Sequence, residues 1–234
     1  ADTITATNQA DTISGGFGDD TINAGGGNDI INGFGRASNI GVAEADSLDG
    51  GAGTDTLVLA GNSFTDLANA TDAQLTNVEV INATNLIGAL DLHLQSDGFI
   101  INTGNNPTTI TGSAGADTIT AGSSVDTINN FVGADTVNGG AGSDRLDLTT
   151  TSTDLNNATD AQLVNVEEIR LTSTDGITLN LGNQSEAFTI SGSAGADTIT
   201  ATNQAEVTAE LCAKTVAQCE ETITRFESAL KNVG

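Results

Sequence analysis

The sequence predicts an all-β fold, a right-handed parallel β-roll or β-helix solenoid, followed by a C-terminal amphipathic α-helix. Three observations predict it: acidic residues recur every nine positions, glycines precede them, and one large apolar residue follows. A short fixed period of this kind is typical of a solenoid in which each repeat forms one turn and one short strand. The repeats that match G-G-x-G-x-D-x-U-x in full, where U is a large apolar residue, are GGFGDDTIN (15–23), GGAGTDTLV (50–58) and GGAGSDRLD (139–147).

The composition favours thin layers of aliphatic side chains over one large core. The 234 residues include 37% hydrophobic residues, seven Phe and no Trp or Tyr. Six basic residues against 31 acidic residues give a net charge of −25, which repels nucleic acid and anionic membranes. We therefore expect no nucleic-acid partner. The sequence also contains no apolar run of about 18 residues, the length that would predict a membrane span. Because the apolar positions are strictly ordered, the sequence does not predict a disordered acidic chain. The many acidic residues are better explained as ligands for divalent cations.

The nonapeptide has the chemistry of a calcium-binding turn. Its glycines allow positive φ angles, so that backbone carbonyls can turn inward. Calcium takes six to eight hard oxygen ligands, which Asp carboxylates and carbonyls supply. Two nonapeptides make one coil of about 18 residues, so acids 18 residues apart should stack on one edge. The predicted pairs are Asp2 with Asp20, Asp11 with Asp29, Asp117 with Asp135, and Asp126 with Asp144.

The turns differ in quality. Residues 24–32 keep most of the motif, whereas residues 6–14 and 121–129 lose glycines. The stretch after Gly33 carries Arg36 and no acid in the expected place, so we expect no site there. For the degenerate turns the alternative is an ordinary β-turn in which the Asp side chain hydrogen-bonds its own backbone.

These repeats resemble the RTX (hemolysin-type calcium-binding) repeats of secreted bacterial proteins, over blocks 1–57, 112–148 and 192–206. The resemblance implies several Ca²⁺ ions, held in the turns, and a roll that folds where calcium is abundant outside the cell. It assigns calcium ligation to Asp20, Asp29, Asp55, Asp117, Asp126, Asp135 and Asp144, with Asp2, Asp11, Asp46 and Asp197 as further candidates. The turn glycines that accompany them are Gly15, Gly16, Gly18, Gly25, Gly27, Gly50, Gly51, Gly53, Gly112, Gly115, Gly133, Gly139, Gly140 and Gly142.

Two longer segments, 58–111 and 149–191, interrupt the nonapeptides and are related to each other. NATDAQLTNVEVI (69–81) closely matches NATDAQLVNVEEI (157–169). Each is followed by alternating apolar residues, LDLHL (90–94) and ITLNL (177–181), which predict half-buried strands. We expect the solenoid to continue through both segments as wider, metal-free coils. This alternation resembles bacterial surface-layer proteins and large repetitive surface proteins.

The tail, residues 207–234, lacks the glycine pattern and predicts a helix with a narrow apolar seam. The helix could cap the roll, mediate oligomerisation or docking, or carry an export signal, as the resemblance allows. Cys212 and Cys219 lie on this seam, about 10.5 Å apart along one helix, so they cannot bond to each other. They are either buried thiols or form an interchain disulfide.

No enzyme motif accompanies the repeats. His93 is the single histidine, and nothing marks a nucleophile that it could activate. TIT triplets are similar to the rows of ice-binding solenoids, but the outward positions elsewhere are too irregular for a flat ice-binding face, which remains a remote alternative.

The sequence therefore predicts a secreted or surface-exposed, non-enzymatic structural protein that assembles through calcium-stabilised packing. Residues 1–10 recur without change at 196–205, which indicates either a repeating parent protein or equivalent faces in head-to-tail stacking. Its partner would be a further copy or another cell-surface component. The alternative is a calcium-dependent folding or export module of a larger secreted hydrolase or toxin.

Overall fold

The structure is a computed structural model that describes residues 1–32, 45–61, 64–202, 204 and 206–208. Within these ranges every pairing between strands is parallel, and strands stack coil upon coil. This all-parallel β-solenoid confirms the fold class predicted from the nonapeptide period. The turn at 33–38 and nearly all of the predicted C-terminal helix, with both cysteines, lie outside the described residues.

The described strands form four sheets. Sheet I contains Thr3–Thr5 (β1), Thr21–Asn23 (β3), Ser47–Asp49 (β5) and Leu75–Thr76 (β7). Sheet II contains Thr12–Ser14 (β2), Ile30–Asn32 (β4), Thr56–Gly61 (β6), Val80–Leu86 (β8), Ile100–Thr103 (β10), Thr118–Thr120 (β12), Thr136–Asn138 (β14) and Leu163–Val164 (β16). Sheet III contains Gly88–Asp91 (β9), Thr108–Thr111 (β11), Thr127–Asn129 (β13), Arg145–Leu148 (β15), Glu168–Leu171 (β17), Thr189–Ser191 (β19) and Glu206–Thr208 (β21). Sheet IV contains Thr178–Asn180 (β18) and Thr198–Thr200 (β20).

The apolar residue of each repeat lies at the centre of its strand and points into the solenoid. In sheet II, Ile31, Leu57 and Ile81 are aligned across β4, β6 and β8, and all three are fully buried. Because side chains alternate along a strand, the residues on either side of the apolar one face outward. Burying one such side chain stabilises the fold by about 1.5–3 kcal/mol, so the core is a column of small, equal contributions.

The chain changes the pair of sheets between which it alternates. It alternates between sheets I and II as far as β8, between sheets II and III as far as β17, and between sheets III and IV thereafter. Each change falls within one of the two related segments that interrupt the nonapeptides. The solenoid is therefore continuous through both segments, as predicted, but one face ends and another begins in each.

A short helix accompanies each change of sheet, where the sequence predicted only strands. Helix α1 (Phe64–Asn69) contacts β9, the first strand of sheet III, and helix α2 (Thr153–Asn157) contacts β18, the first strand of sheet IV. A helix placed there covers a strand edge that would otherwise expose unpaired backbone groups. The helices are too short and too polar to show the long apolar period by which helices are recognised in a sequence.

The shared motif N-A-T-D-A-Q-L forms a capped 3₁₀ turn in both copies. The turns span Asp72–Gln74 and Asp160–Gln162. In the first, the Thr71 backbone N–H donates to Gln74 Oε1 at 3.0 Å, and the second repeats this contact at 3.0 Å. This is the reciprocal T-x-x-Q capping box, which fixes the entry of the chain into the next strand.

Two predicted boundaries are wrong. Val207 and Thr208 belong to strand β21, paired with β19, and not to the predicted C-terminal helix. The strand predicted at 90–94 ends at Asp91 in β9, because His93 and Leu94 form a turn. In the part of the chain that the structure describes, no helix has the length and apolar character needed to cross a membrane.

Candidate metal centre

Each candidate acid is the last residue of a turn and directly precedes a strand. Asp29 precedes β4, Asp55 precedes β6 and Asp144 precedes β15. The same holds for Asp2, Asp11, Asp20, Asp46, Asp117, Asp126, Asp135 and Asp197. Because the following strand is held in a sheet, the position of each carboxylate along the solenoid edge is fixed by the fold.

The acids stack in ladders joined by hydrogen bonds. In six pairs, the backbone N–H of one acid donates to a carboxylate oxygen of the acid one coil further on. The four predicted pairs are confirmed, with distances of 2.6 Å for Asp2–Asp20, 2.8 Å for Asp11–Asp29, 3.0 Å for Asp117–Asp135 and 2.8 Å for Asp126–Asp144. Two further pairs, Asp20–Asp46 and Asp29–Asp55, form at 2.8 Å across a separation of 26 residues, so a longer coil leaves the ladder in register.

Three of the stacked acids keep a buried carboxylate oxygen that has no hydrogen-bond partner among the described residues. These are Asp29, Asp55 and Asp144, whose residues are at most 1% exposed and whose Oδ2 atoms are unpaired. All three belong to turns that keep the glycine-rich motif, AGGGND, GGAGTD and GGAGSD. A buried ionised oxygen without a partner is costly, so this is the position at which a cation would be favoured.

In other turns a hydroxyl side chain donates a hydrogen bond to the carboxylate. Ser113 donates to Asp117 from its backbone N–H at 2.7 Å and from its Oγ at 3.0 Å. Ser193 contacts Asp197 in the same way, and Thr7 donates to Asp11. The Asp carboxylate thus accepts hydrogen bonds from the backbone of its own turn, which is the arrangement expected for degenerate repeats. The ligand roles of these acids stay predictions, but their oxygens are already hydrogen-bonded.

Backbone carbonyls of successive coils converge on the glycines of the well-formed turns. Gly51 and Gly53 have φ angles of 87° and 148°, which glycine alone adopts without strain. A methyl group at either position would collide with the carbonyl oxygen of Gly25 or Gly27 in the preceding coil. No group of three His, Cys, Asp or Glu side chains in the described residues could hold a metal alone, so a site here needs these carbonyls. Calcium accepts such mixed carboxylate and carbonyl ligands.

Burial opposes the ionised form of several ladder acids. Burial raises the pKa of both Asp135 and Asp144 to about 6, and the charge of Asp117 or Asp126, respectively, adds to the rise. Burial likewise raises the pKa of Asp55, Asp117 and Asp126. By contrast, hydrogen bonds from the Thr7 side chain and backbone lower the pKa of the half-buried Asp11. The ladder therefore concentrates negative charge that a bound divalent cation would offset.

Other charged groups have plain structural roles. Arg145 and Arg170 both pair with Asp147 on sheet III, at 2.8 and 2.5 Å. His93 is exposed, and its Nδ1 lies 2.9 Å from Asp91 Oδ1. Arg145 also donates to Thr127 Oγ1 at 3.2 Å, and none of these three basic side chains belongs to the ladder.

Two ladder residues were missed by the sequence analysis, Glu79 and Glu167. The Asp55 backbone N–H donates to Glu79 Oε2 at 2.8 Å, and the Asp144 backbone N–H donates to Glu167 Oε2 at 2.7 Å. Both glutamates lie in the interrupting segments, outside any nonapeptide, so the nine-residue period could not reveal them. The signal that could have done so is the N-V-E triplet that both segments share.

Comparison with known proteins gives one match. The model of the RTX calcium-binding nonapeptide-repeat family matches four copies over residues 1–33, 40–63, 102–130, 132–148 and 189–205, slightly more than half of the chain. Comparisons with curated proteins and with solved structures gave no significant match. The matched residues include the turns that hold the three unpaired carboxylates.

Proposed function

Because the chain belongs to the RTX calcium-binding nonapeptide-repeat family, we propose that it is an extracellular structural protein whose solenoid is stabilised by calcium and assembles into a surface layer, filament or coat. RTX repeats bind Ca²⁺ in their turns, and the chain is a calcium-binding structural module. The finer proposal concerns what that module does. It is a non-enzymatic building block, and its partner is a further copy of itself or another component of the cell surface.

The observation that carries the proposal is the set of unpaired buried oxygens on Asp29, Asp55 and Asp144. None of the ion pairs in the described ranges involves these acids. A cation that binds the folded turns and not the unfolded chain stabilises the fold by RT ln(1 + [Ca²⁺]/Kd), about 2.7 kcal/mol per site at a hundredfold excess over Kd. Several such sites are enough to decide whether a solenoid with this charge is folded.

The polarity of the ladder favours head-to-tail assembly. Each backbone N–H donates toward the next coil, as from Asp2 to Asp20. Residues 1–10 recur without change at 196–205, so the coils that contain Asp2 and Asp197 present the same turn and strand sequence. Two copies stacked through these equivalent coils would continue the same polarity from one copy to the next. Such a heterologous contact repeats without closing and generates filaments or sheets.

A location outside the cell follows from the same chemistry. RTX repeats are found in secreted proteins, and their repeat domains are typically non-catalytic structural modules. Calcium of the required concentration is available outside the cell, and a chain with a net charge of −25 would otherwise repel its own copies. We infer that calcium both stabilises each copy and lowers the repulsion between copies.

The proposal is tested by three measurements on the full chain, with calcium and after its removal. Isothermal titration counts the bound ions, far-UV circular dichroism follows the fold, and negative-stain electron microscopy follows assembly. We expect several ions, a calcium-dependent gain of β-structure, and filaments or sheets only with calcium. A chain that binds calcium and folds but stays monomeric would contradict the assembly role and favour a folding or export module. A chain that binds fewer than two ions would contradict the whole proposal.

A further inference from the structure

In each nonapeptide block, one ladder ends on a glutamate that lies outside the repeats. Along the ladder the Asp29 backbone N–H donates to Asp55 Oδ1 at 2.8 Å, and the Asp55 backbone N–H then donates to Glu79. The second block repeats this arrangement, with Asp126, Asp144 and Glu167 in the same order. In both blocks, therefore, a glutamate stands where the next turn acid would be. The residues matched by the family model include neither glutamate.

The turn before each glutamate brings a carbonyl to the same place. Asn77 and Asn165 have φ angles of 52° and 54°, the left-handed conformation that Asn adopts more readily than other non-glycine residues. A methyl group at Gly50 would collide with the carbonyl oxygen of Asn77, and one at Gly139 would collide with that of Asn165. Each carbonyl thus faces the first glycine of a complete G-G-x-G-x-D turn.

The unpaired carboxylate oxygen borders the same space. A methyl group at Gly50 would also lie 2.9 Å from Asp55 Oδ2, and one at Gly139 would lie 2.9 Å from Asp144 Oδ2. Both oxygens are buried and lack a hydrogen-bond partner. The Asn77 carbonyl oxygen and Asp55 Oδ2 therefore lie beside the same glycine, as do the Asn165 carbonyl oxygen and Asp144 Oδ2 in the second block. In each block a glutamate is hydrogen-bonded to the backbone of that same aspartate.

We propose that each of these two groups of oxygens binds calcium, with Asp55, the Asn77 carbonyl and Glu79 as ligands in the first block. The second site is formed by Asp144, the Asn165 carbonyl and Glu167. The inference rests on the proposed calcium binding and extends it beyond the nonapeptides. All of these ligands are hard oxygens, and two of the three in each site are carboxylates, as calcium prefers. No ion pair among the described side chains neutralises any of these four acids.

The test replaces the two glutamates by glutamine, in Glu79→Gln, Glu167→Gln and the double variant. Glutamine keeps an oxygen that can accept the backbone N–H of Asp55 or Asp144, so a purely structural role is preserved and only the negative charge is removed. Isothermal titration on the full chain, with circular dichroism in saturating calcium to confirm the fold, gives the number of ions and their affinities. We expect one site per single variant to be lost or weakened by about tenfold or more, and two sites in the double variant.

Two control variants bracket the result. Glu168→Gln removes a charge one residue away, on the outward side of β17, and should bind as many ions as the original chain. Asp175→Asn removes a charge from an exposed bend outside both proposed sites and should do the same. If the double variant folds and binds as many ions, with the same affinities, as the original chain, this inference is wrong while the calcium-binding function stands. If the original chain itself binds no calcium, the proposed function fails and these sites fail with it.

Discussion

Protons should partly replace calcium in holding the solenoid together. Burial raises the pKa of Asp135 and Asp144 from the ordinary 3.8 to about 6 in the folded chain without metal. A carboxyl group whose pKa is higher in the folded state contributes stability that is complete below the unfolded pKa and is lost as the pH rises through about 6. Metal-free protein should therefore become more stable as the pH falls from 7.5 to about 4.5.

The size of the effect follows from the two shifts. One pKa unit corresponds to about 1.4 kcal/mol, so a rise of about two units gives at most about 3 kcal/mol for each residue. Together the two carboxyl groups give at most about 6 kcal/mol, comparable with the whole stability of an ordinary domain. With saturating calcium the sign reverses, because protons then compete with the cation for the same oxygens.

Urea denaturation followed by far-UV circular dichroism measures this difference, in metal-free buffer and in saturating calcium, between pH 7.5 and 4.5. Asp144→Asn is the matched variant, because the amide oxygen can still accept the Asp126 backbone N–H. It should lose about half of the metal-free pH dependence and should bind calcium less well. A metal-free stability that falls or stays constant on acidification would refute the reasoning, and so would an equal pH dependence with and without calcium.

Two further predictions concern the turns. Ser113→Ala removes the hydroxyl that donates to Asp117. In urea titrations it should lower the free energy of unfolding by about 1–3 kcal/mol, equally with and without calcium. An effect seen only with calcium would contradict the hydrogen-bonding role of this serine. Gly53→Ala should lower the melting temperature more than Gly16→Ala. Both positions have positive φ, but only at Gly53 would the methyl group collide with a backbone carbonyl, that of Gly27. Equal decreases in melting temperature would show that backbone strain alone accounts for both.

The nonapeptide period was sufficient to predict the local structure of the repeats. It predicted the inward residue of each strand, such as Ile31 and Leu57, because the same three-residue strand recurs after every turn. It also predicted which acids stack, since a coil of two nonapeptides fixes a separation of 18 residues. The Asp29–Asp55 contact was outside that rule, because the coil between them is longer.

The period could not reveal contacts that depend on how coils of different length stack. Ser113 stands where the full motif has its second glycine, and its hydroxyl lies 3.0 Å from Asp117 Oδ1, a contact that the period does not predict. Glu79 lies outside the nonapeptides, yet the neighbouring coil places the backbone N–H of Asp55 within hydrogen-bonding distance of its carboxylate. The change from sheets I and II to sheets II and III was equally hidden, since a strand of the same composition fits either sheet.

The two proposed sites that include Glu79 and Glu167 lie next to the two changes of sheet. Calcium bound there would have a specific mechanical role. Asp55 and Glu79 are 24 residues apart, and the chain between them includes α1 and the capped 3₁₀ turn. Asp144 and Glu167, 23 residues apart, enclose α2 in the same way. A cation bound by both ends of such a loop holds the loop closed. The entropy cost of closing this loop is greater than that of closing a nine-residue repeat. Calcium bound at Glu79 and Glu167 would therefore act where the solenoid is least regular, next to the places where one sheet ends and another begins.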